Sequence, residues 1–134
     1  MNKIPGIIHS IQSESHLSLV RIKAYEDMFS SIVVDTPVTA PYLMMEGPVN
    51  IVFKENEVAI AKGFSGQISL QNRFVCVIKK IEKGKLLCKV LMNYNEHNII
   101  SVITANAATQ MDLTVGDNVI ALVKTNEISL SPHD

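Results

Sequence analysis

An internal repeat constrains this chain most, because shifting the 134-residue sequence by 70 residues aligns its two halves without a gap. Identical residues fill 13 of about 64 aligned positions, including Asn2 with Asn72 and Lys54 with Lys124. Many other aligned positions are both apolar, a match that a chance alignment rarely keeps along a whole chain. The sequence therefore predicts two copies of one folding unit.

The repeat sets the size of each unit and the boundary between them. We predict a first unit at residues 1–64, a linker at 65–68 and a second unit at 69–134, since residues 62–67 have the Gly and Ser content of a linker. A unit of about 65 residues supports only a marginal core by itself. Packing between the copies or between several chains is expected, and we predict a homo-oligomer.

Each copy has short segments rich in Val, Ile and Phe that are typical of β-strands. The predicted strands are residues 4–11, 17–22, 31–34, 49–53 and 58–60 in the first copy, and 73–81, 86–92, 99–104, 118–124 and 128–130 in the second. A polar loop is predicted at 93–98 and an Ala-rich helical turn at 105–111. In the first copy, Asp35 and Pro37 favour a helix start, as an N-cap and a Pro at the first helical position.

Five short strands and one small helix per copy are typical of a compact barrel. We therefore predict an all-β fold with small helical turns, in which two OB-like five-stranded β-barrels follow one another along the chain. The helix content should be low.

Composition and charge exclude several classes of protein. Twelve basic residues against 13 acidic ones, for a net charge of −1, argue against a nucleic-acid surface. Three Tyr, four Phe and no Trp are few for a protein that stacks bases. No apolar run approaches the ~18 residues that cross a bilayer, and the first residues lack a signal-peptide core. We expect a cytoplasmic protein that binds neither nucleic acid nor membranes.

Side chains that carry catalytic or metal chemistry are scattered along the chain. No Ser/His/Asp set, Gly-rich phosphate loop or clustered carboxylate pair occurs. No metal-ligand spacing links the four His residues, which are His9, His16, His97 and His133. Cys76 and Cys88 lie on the two strands of one hairpin, and we predict buried reduced thiols, with Cys76 facing about Leu91. Neither an enzyme nor a cation site is predicted.

The end of the second copy resembles the Mop (TOBE) domain family. Residues 113–128 read LTVGDNVIALVKTNEI, where these domains typically read L-x-x-G-D-x-V-x-A-x-I-K-[AS]-x-x-V. Residues 69–73, SLQNR, occupy the place of the family's opening S-A-R-N-Q. The first copy is similar through residues 43–49 and 54–58, so the resemblance covers the chain as a tandem. A stand-alone tandem of this kind is similar to molbindins.

The resemblance implies that the protein binds molybdate, or tungstate, as an oxyanion at subunit interfaces, for storage or homeostasis in the cytoplasm. It also implies a trimer. Carried over residue by residue, it implies an oxyanion site formed by Ser69, Gln71, Asn72, Thr104, Lys124 and Thr125, with Lys54 of the first copy as a weaker candidate. A tetrahedral dianion only accepts hydrogen bonds, so its site needs several donors and positive potential.

Departures from the family pattern keep a second function open. Gln71 stands at the family's Arg, and Ala107 at a position often filled by Ser. In the first copy, Glu55 replaces the hydroxyl residue after the Lys, and Val34 stands where Thr104 does in the second. We therefore predict that the second copy carries the better sites. The alternative is a ligand-free structural or regulatory interaction module of the sensor-type di-Mop kind.

Overall fold

The computed structural model describes residues 1–133, which form ten strands, one short α-helix and two 3₁₀ turns. The strands are β1 (Asn2–Glu14), β2 (Leu17–Ala24), β3 (Asp27–Val33), β4 (Pro48–Phe53), β5 (Ala59–Ala61), β6 (Asn72–Lys83), β7 (Leu87–Tyr94), β8 (His97–Thr104), β9 (Asn118–Val123) and β10 (Ser129–Pro132). The helix α1 is Ala105–Gln110, and the 3₁₀ turns are Glu55–Glu57 and Thr125–Glu127. No helix within residues 1–133 has the length and apolar character to cross a bilayer.

The strands form two antiparallel five-stranded sheets, in the orders β10-β4-β1-β2-β3 and β5-β9-β6-β7-β8. The edge strands β3 and β10 also contact each other, as do β5 and β8, so each sheet curls towards a barrel. The predicted all-β class with two five-stranded units is therefore confirmed.

Each sheet takes four strands from one copy and its fifth from the other. Leu130 of β10 pairs with Ile51 of β4, and Ile60 of β5 pairs with Ala121 of β9. A buried serine hydroxyl of each copy holds the chain just before the strand that the other copy contributes. Ser31 Oγ donates to the Ile128 carbonyl at 2.7 Å, and Ser101 Oγ donates to the Val58 carbonyl at 2.6 Å.

Both copies contribute to one hydrophobic core. The ring of Phe74 stacks on Phe29 with centroids 4.4 Å apart and on Phe53 at 5.1 Å, and it meets Tyr94 edge to face at 5.2 Å. Phe29 and Phe53 belong to the first copy and Phe74 to the second. The two copies therefore bury their apolar faces against each other, as the marginal size of one copy requires.

The predicted polar loop at 93–98 is wrong. Strands β7 and β8 continue to the pair Tyr94–His97, and only Asn95 and Glu96 form the turn between them. Both turn residues have positive φ, 45° and 69°. Two-residue hairpin turns of this kind need positive φ at both positions, which Asn tolerates better than most residues. The polar stretch was therefore a tight turn flanked by strand residues.

The predicted contact between Cys76 and Leu91 is also wrong. Lys83 pairs with Cys88, which places the hairpin turn between these two residues, and the same register pairs Leu91 with Lys80 and not with Cys76. Both cysteines are buried free thiols, as predicted. Burial raises the pKa of Cys76 to about 12, which keeps it protonated at neutral pH.

The helix start predicted in the first copy at Asp35 and Pro37 is wrong, whereas the helical turn of the second copy is confirmed as α1. After Val33 the chain forms separate turns, in which the Thr36 carbonyl accepts from the N–H groups of Thr39 and Ala40. Pro41 follows at once and has no N–H to continue a helical ladder.

The segment between the copies is fixed to the second copy by one lysine. Lys62 Nζ donates to the Asp112 carbonyl at 2.7 Å and forms an ion pair of 3.0 Å with Asp117. The hydrogen bond from Lys62 lowers the pKa of the Asp117 carboxyl. The division at residues 65–68 lies just after this anchor and stays a prediction.

Candidate functional site

Three of the predicted site residues lie at the start of β6. Ser69 and Gln71 are exposed in the segment before the strand, and Asn72 is fully buried. Asn72 accepts from the Ser30 N–H at 2.7 Å and donates to the Ser30 carbonyl at 2.9 Å. Its amide therefore clamps β3 of the first copy and holds the segment that presents Ser69 and Gln71.

Lys124 and Thr125 lie beside this segment, at the end of β9. The last pair between β6 and β9 is Asn72–Val123. Continuing this register by one residue places Gln71 opposite Lys124. Lys124 is exposed and begins the 125–127 turn, where its carbonyl accepts from the Glu127 N–H at 2.9 Å. The structure thus brings Ser69, Gln71, Asn72, Lys124 and Thr125 to one end of the second sheet.

Thr104 lies apart from the other predicted site residues of the second copy. It caps α1, because its Oγ1 accepts from the Ala107 N–H at 3.0 Å. The strand β8, which ends at Thr104, contacts the 55–57 turn of the first copy, whereas the 125–127 turn contacts β3. Within one chain, strand exchange therefore groups Thr104 with the turn after Lys54 and away from the turn after Lys124.

The first copy has a corresponding arrangement around Lys54. Asn2 clamps β8, accepting from the Ile100 N–H at 2.8 Å and donating to its carbonyl at 2.9 Å. An open depression of about 460 Å³ is lined by Met1, Lys54, Glu55, Asn56 and Val102. The Met1 amino group lies 3.5 Å from Glu55 Oε2. A carboxylate thus stands where the second copy has the Thr125 hydroxyl.

Arg73 is a residue of this region that the sequence analysis did not select. Its Nε donates to the Leu70 carbonyl at 3.0 Å and its Nη2 to the Ile68 carbonyl at 3.3 Å, so the guanidinium fixes the backbone on both sides of Ser69. The ring of Phe64 lies 5.8 Å from the guanidinium carbon. The available signal was strand alternation, which gives residues 71 and 73 the same face.

The arrangement offers donors for an anion and no cluster for a cation. Across residues 1–133 no group of three His, Cys, Asp or Glu side chains is placed to hold a metal ion. At the start of β6 and the end of β9, an ammonium, hydroxyls and a side-chain amide lie in the exposed and half-exposed segments beside the last strand pair. Such groups donate hydrogen bonds to oxyanions.

Comparison with known proteins identifies the class of this fold. The TOBE domain family matches residues 68–130. The molybdenum-pterin-binding protein MopB of Rhodobacter capsulatus is 32% identical over 73 residues, which are 54% of this chain. The chain spans only 27% of the length of this curated relative.

A solved structure supports the fold over almost the whole chain. The cytoplasmic molybdate-binding protein ModG, in a form with molybdate bound, matches with a TM-score of 0.87 and 20% identity, over 98% of this chain and 96% of ModG. A molybdate-binding protein from Sporomusa ovata is 36% identical over 44% of this chain and 88% of its own, with a TM-score of 0.43.

The fold and the sequence match together point to a pair of small β-barrels like those of Mop/TOBE proteins. The second copy matches the TOBE domain family, and the chain as a whole resembles the molbindin-like tandem Mop/TOBE proteins.

Proposed function

We propose that this protein binds molybdate, or the chemically similar tungstate, and holds it in the cytoplasm for storage or homeostasis without transforming it. The observation that carries the proposal is the group of donors at the start of β6 and the end of β9, where Gln71 and Lys124 flank the last strand pair, Asn72–Val123, and Thr125 follows Lys124. Relatives named for molybdate or molybdenum-pterin binding support the choice of ligand.

The chemistry of the donors fits such a ligand. Molybdate is a tetrahedral dianion at neutral pH, so it accepts hydrogen bonds and favours positive potential. In this proposal Lys124, Ser69, Thr125 and Gln71 donate to the oxyanion. Asn72 and Thr104, whose polar side-chain atoms bond within the chain, hold the backbone around the donors. Lys54 remains the weaker candidate.

Apolar surface supports binding at interfaces between subunits, in a homo-trimer. Aligned positions of the two copies expose apolar side chains in the same places: Ile7 and Val77 are 41% and 40% exposed, and Leu17 and Leu87 are 50% and 58% exposed. Surface that repeats in this way is complementary to further copies of the chain, and burying it is favourable. Donors at the sheet ends would then meet donors of a neighbouring subunit.

Titration of the ligand-free protein with molybdate, tungstate and sulfate tests the proposal, with mass measured in solution. We expect both heavy oxyanions to bind and sulfate to bind more weakly. Lys124→Gln should weaken molybdate binding by roughly 10- to 100-fold, the scale of a charge-assisted hydrogen bond. Lys54→Gln is the matched control and should change binding by less than about 3-fold.

Two outcomes would contradict the proposal. Binding that survives loss of Lys124 but not of Lys54 would reverse the assignment of the site. No response to either heavy oxyanion at millimolar concentration would favour the second candidate, a ligand-free structural or regulatory module. The observation behind that candidate is Glu55, whose carboxylate occupies one of the two corresponding positions.

A further inference from the structure

The guanidinium of Arg73 lies next to the proposed anion site and has no role in the function proposed above. Hydrogen bonds to the carbonyls of Ile68 and Leu70 hold it against the segment that carries Ser69. These bonds use two of the five N–H donors of a guanidinium, so three remain for another acceptor.

The register of the sheet sets Arg73 on the same face as Gln71 and Lys124. Arg73 pairs with Leu122 and Asn72 with Val123, which makes Gln71–Lys124 the next pair outward. Successive strand residues point to opposite faces, so Gln71 and Arg73 lie on the face opposite the buried Asn72. Side chains at diagonal positions of neighbouring strands are about 7–8 Å apart, which long side chains such as Arg and Lys can bridge.

The two cations of this face are not neutralised by the chain. Within residues 1–133 the ion pairs are Lys62–Asp117, Lys80–Glu82 and the Met1 amino group with Glu55, so neither Arg73 nor Lys124 takes part in one. Two uncompensated positive charges near one another are unfavourable in a ligand-free protein, and a dianion between them relieves the repulsion.

We propose that Arg73 donates hydrogen bonds to the bound oxyanion and supplies the second positive charge of the site, beside Lys124. The inference rests on the proposed function and adds a residue to it. A dianion is matched in charge by one guanidinium and one ammonium, whereas Gln71 is neutral. In the first copy, Lys3 and Lys54 align with Arg73 and Lys124, but Glu55 places a carboxylate directly after Lys54, where the second copy has Thr125.

The test is calorimetric titration of the oligomeric, full-length protein with sodium molybdate at two ionic strengths. Arg73→Gln should weaken binding at least ~10-fold and reduce its salt dependence, because one charge-assisted contact is lost. Lys3→Gln, the same change at the aligned first-copy position, should stay within about 2-fold of the parent. The double variant Gln71→Arg/Arg73→Gln moves the charge two residues along the same face and should restore binding to within about 5-fold.

The outcomes separate this inference from the proposed function. If the parent protein does not bind molybdate, the proposed function fails. If the parent binds and folded Arg73→Gln binds equally well, Arg73 is outside the site. If the double variant fails to restore binding, Arg73 acts by fixing the Ser69 segment and not by its charge, which also overturns the inference. Should Arg73→Gln fold poorly by circular dichroism, Arg73→Lys decides the question, since it keeps the positive charge: retained molybdate binding supports the inference and lost binding overturns it.

Discussion

The corresponding ends of the two sheets have one backbone plan and different chemistry. At the start of β1 and the end of β4, Lys54 is followed by Glu55, whose carboxylate reaches the Met1 amino group at 3.5 Å. At the start of β6 and the end of β9, Lys124 is followed by Thr125, so a hydroxyl occupies the position that Glu55 fills in the first copy. The repeat thus preserves the backbone plan of both sheet ends, and the proposed function predicts that single side chains decide which end favours an anion.

The buried polar contacts are the same in both copies, because each copy is held by side chains of the other. Asn2 clamps Ile100 and Asn72 clamps Ser30 through paired backbone hydrogen bonds. Ser31 and Ser101 hold the exchanged chain ends in the same reciprocal way. The two copies can therefore diverge in charge at their exposed ends while their buried polar contacts remain equivalent.

The largest effect is expected from Phe74→Ala, which removes the ring that contacts Phe29 and Phe53 of the first copy. Truncating a buried Phe costs about 3–5 kcal/mol. Urea unfolding should show this loss in a single transition, since the core is shared. The milder change Ile4→Val at the aligned first-copy position should cost about 1 kcal/mol. Two separate transitions, one per copy, would contradict the shared core.

The next effect compares the two clamps. Asn72→Ala leaves the buried N–H and carbonyl of Ser30 without these partners and should cost about 2–4 kcal/mol. Asn2→Ala should cost somewhat less, because its bonds to Ile100 are only partly buried. Exposed Asn98→Ala is the control and should stay within about 0.5 kcal/mol. Equal and negligible losses at Asn2 and Asn72 in urea unfolding would break the clamp assignment.

The smallest effect on stability is expected from Glu55→Thr. The same change tests most directly whether this residue makes the two sheet ends differ in anion binding. The ion pair with Met1 is exposed, so its loss should cost less than about 1 kcal/mol. The change gives the first copy the Lys-Thr pair of the second, and molybdate titration should then reveal additional sites per chain. An unchanged number of sites at millimolar molybdate would mean that features other than Glu55 silence the first copy. Glu55→Gln, which removes only the charge, is the matched variant.

The sequence alone determined most of the local structure. The 70-residue repeat and the alternating apolar residues predicted the all-β class, and the Ala-rich stretch predicted α1, because hydrophobic periodicity and helix propensity act over neighbouring residues. The errors arose where one backbone detail decides the outcome. The turn at Asn95 and Glu96, the turn between Lys83 and Cys88 and the turns before Pro41 each depend on a few dihedral angles that residue type does not fix.

Only the tertiary structure decided that β5 joins the sheet of the second copy and β10 the sheet of the first copy. Ile60 and Leu130 occupy equivalent places in the repeat, so the pattern of the sequence fits either sheet equally well. The choice depends on the direction of the chain after Phe53 and Val123 and on the buried bonds of Ser31 and Ser101. Strand exchange also sets β8, which ends at Thr104, beside the turn after Lys54. These elements are distant in the sequence, so no local pattern encodes their contact.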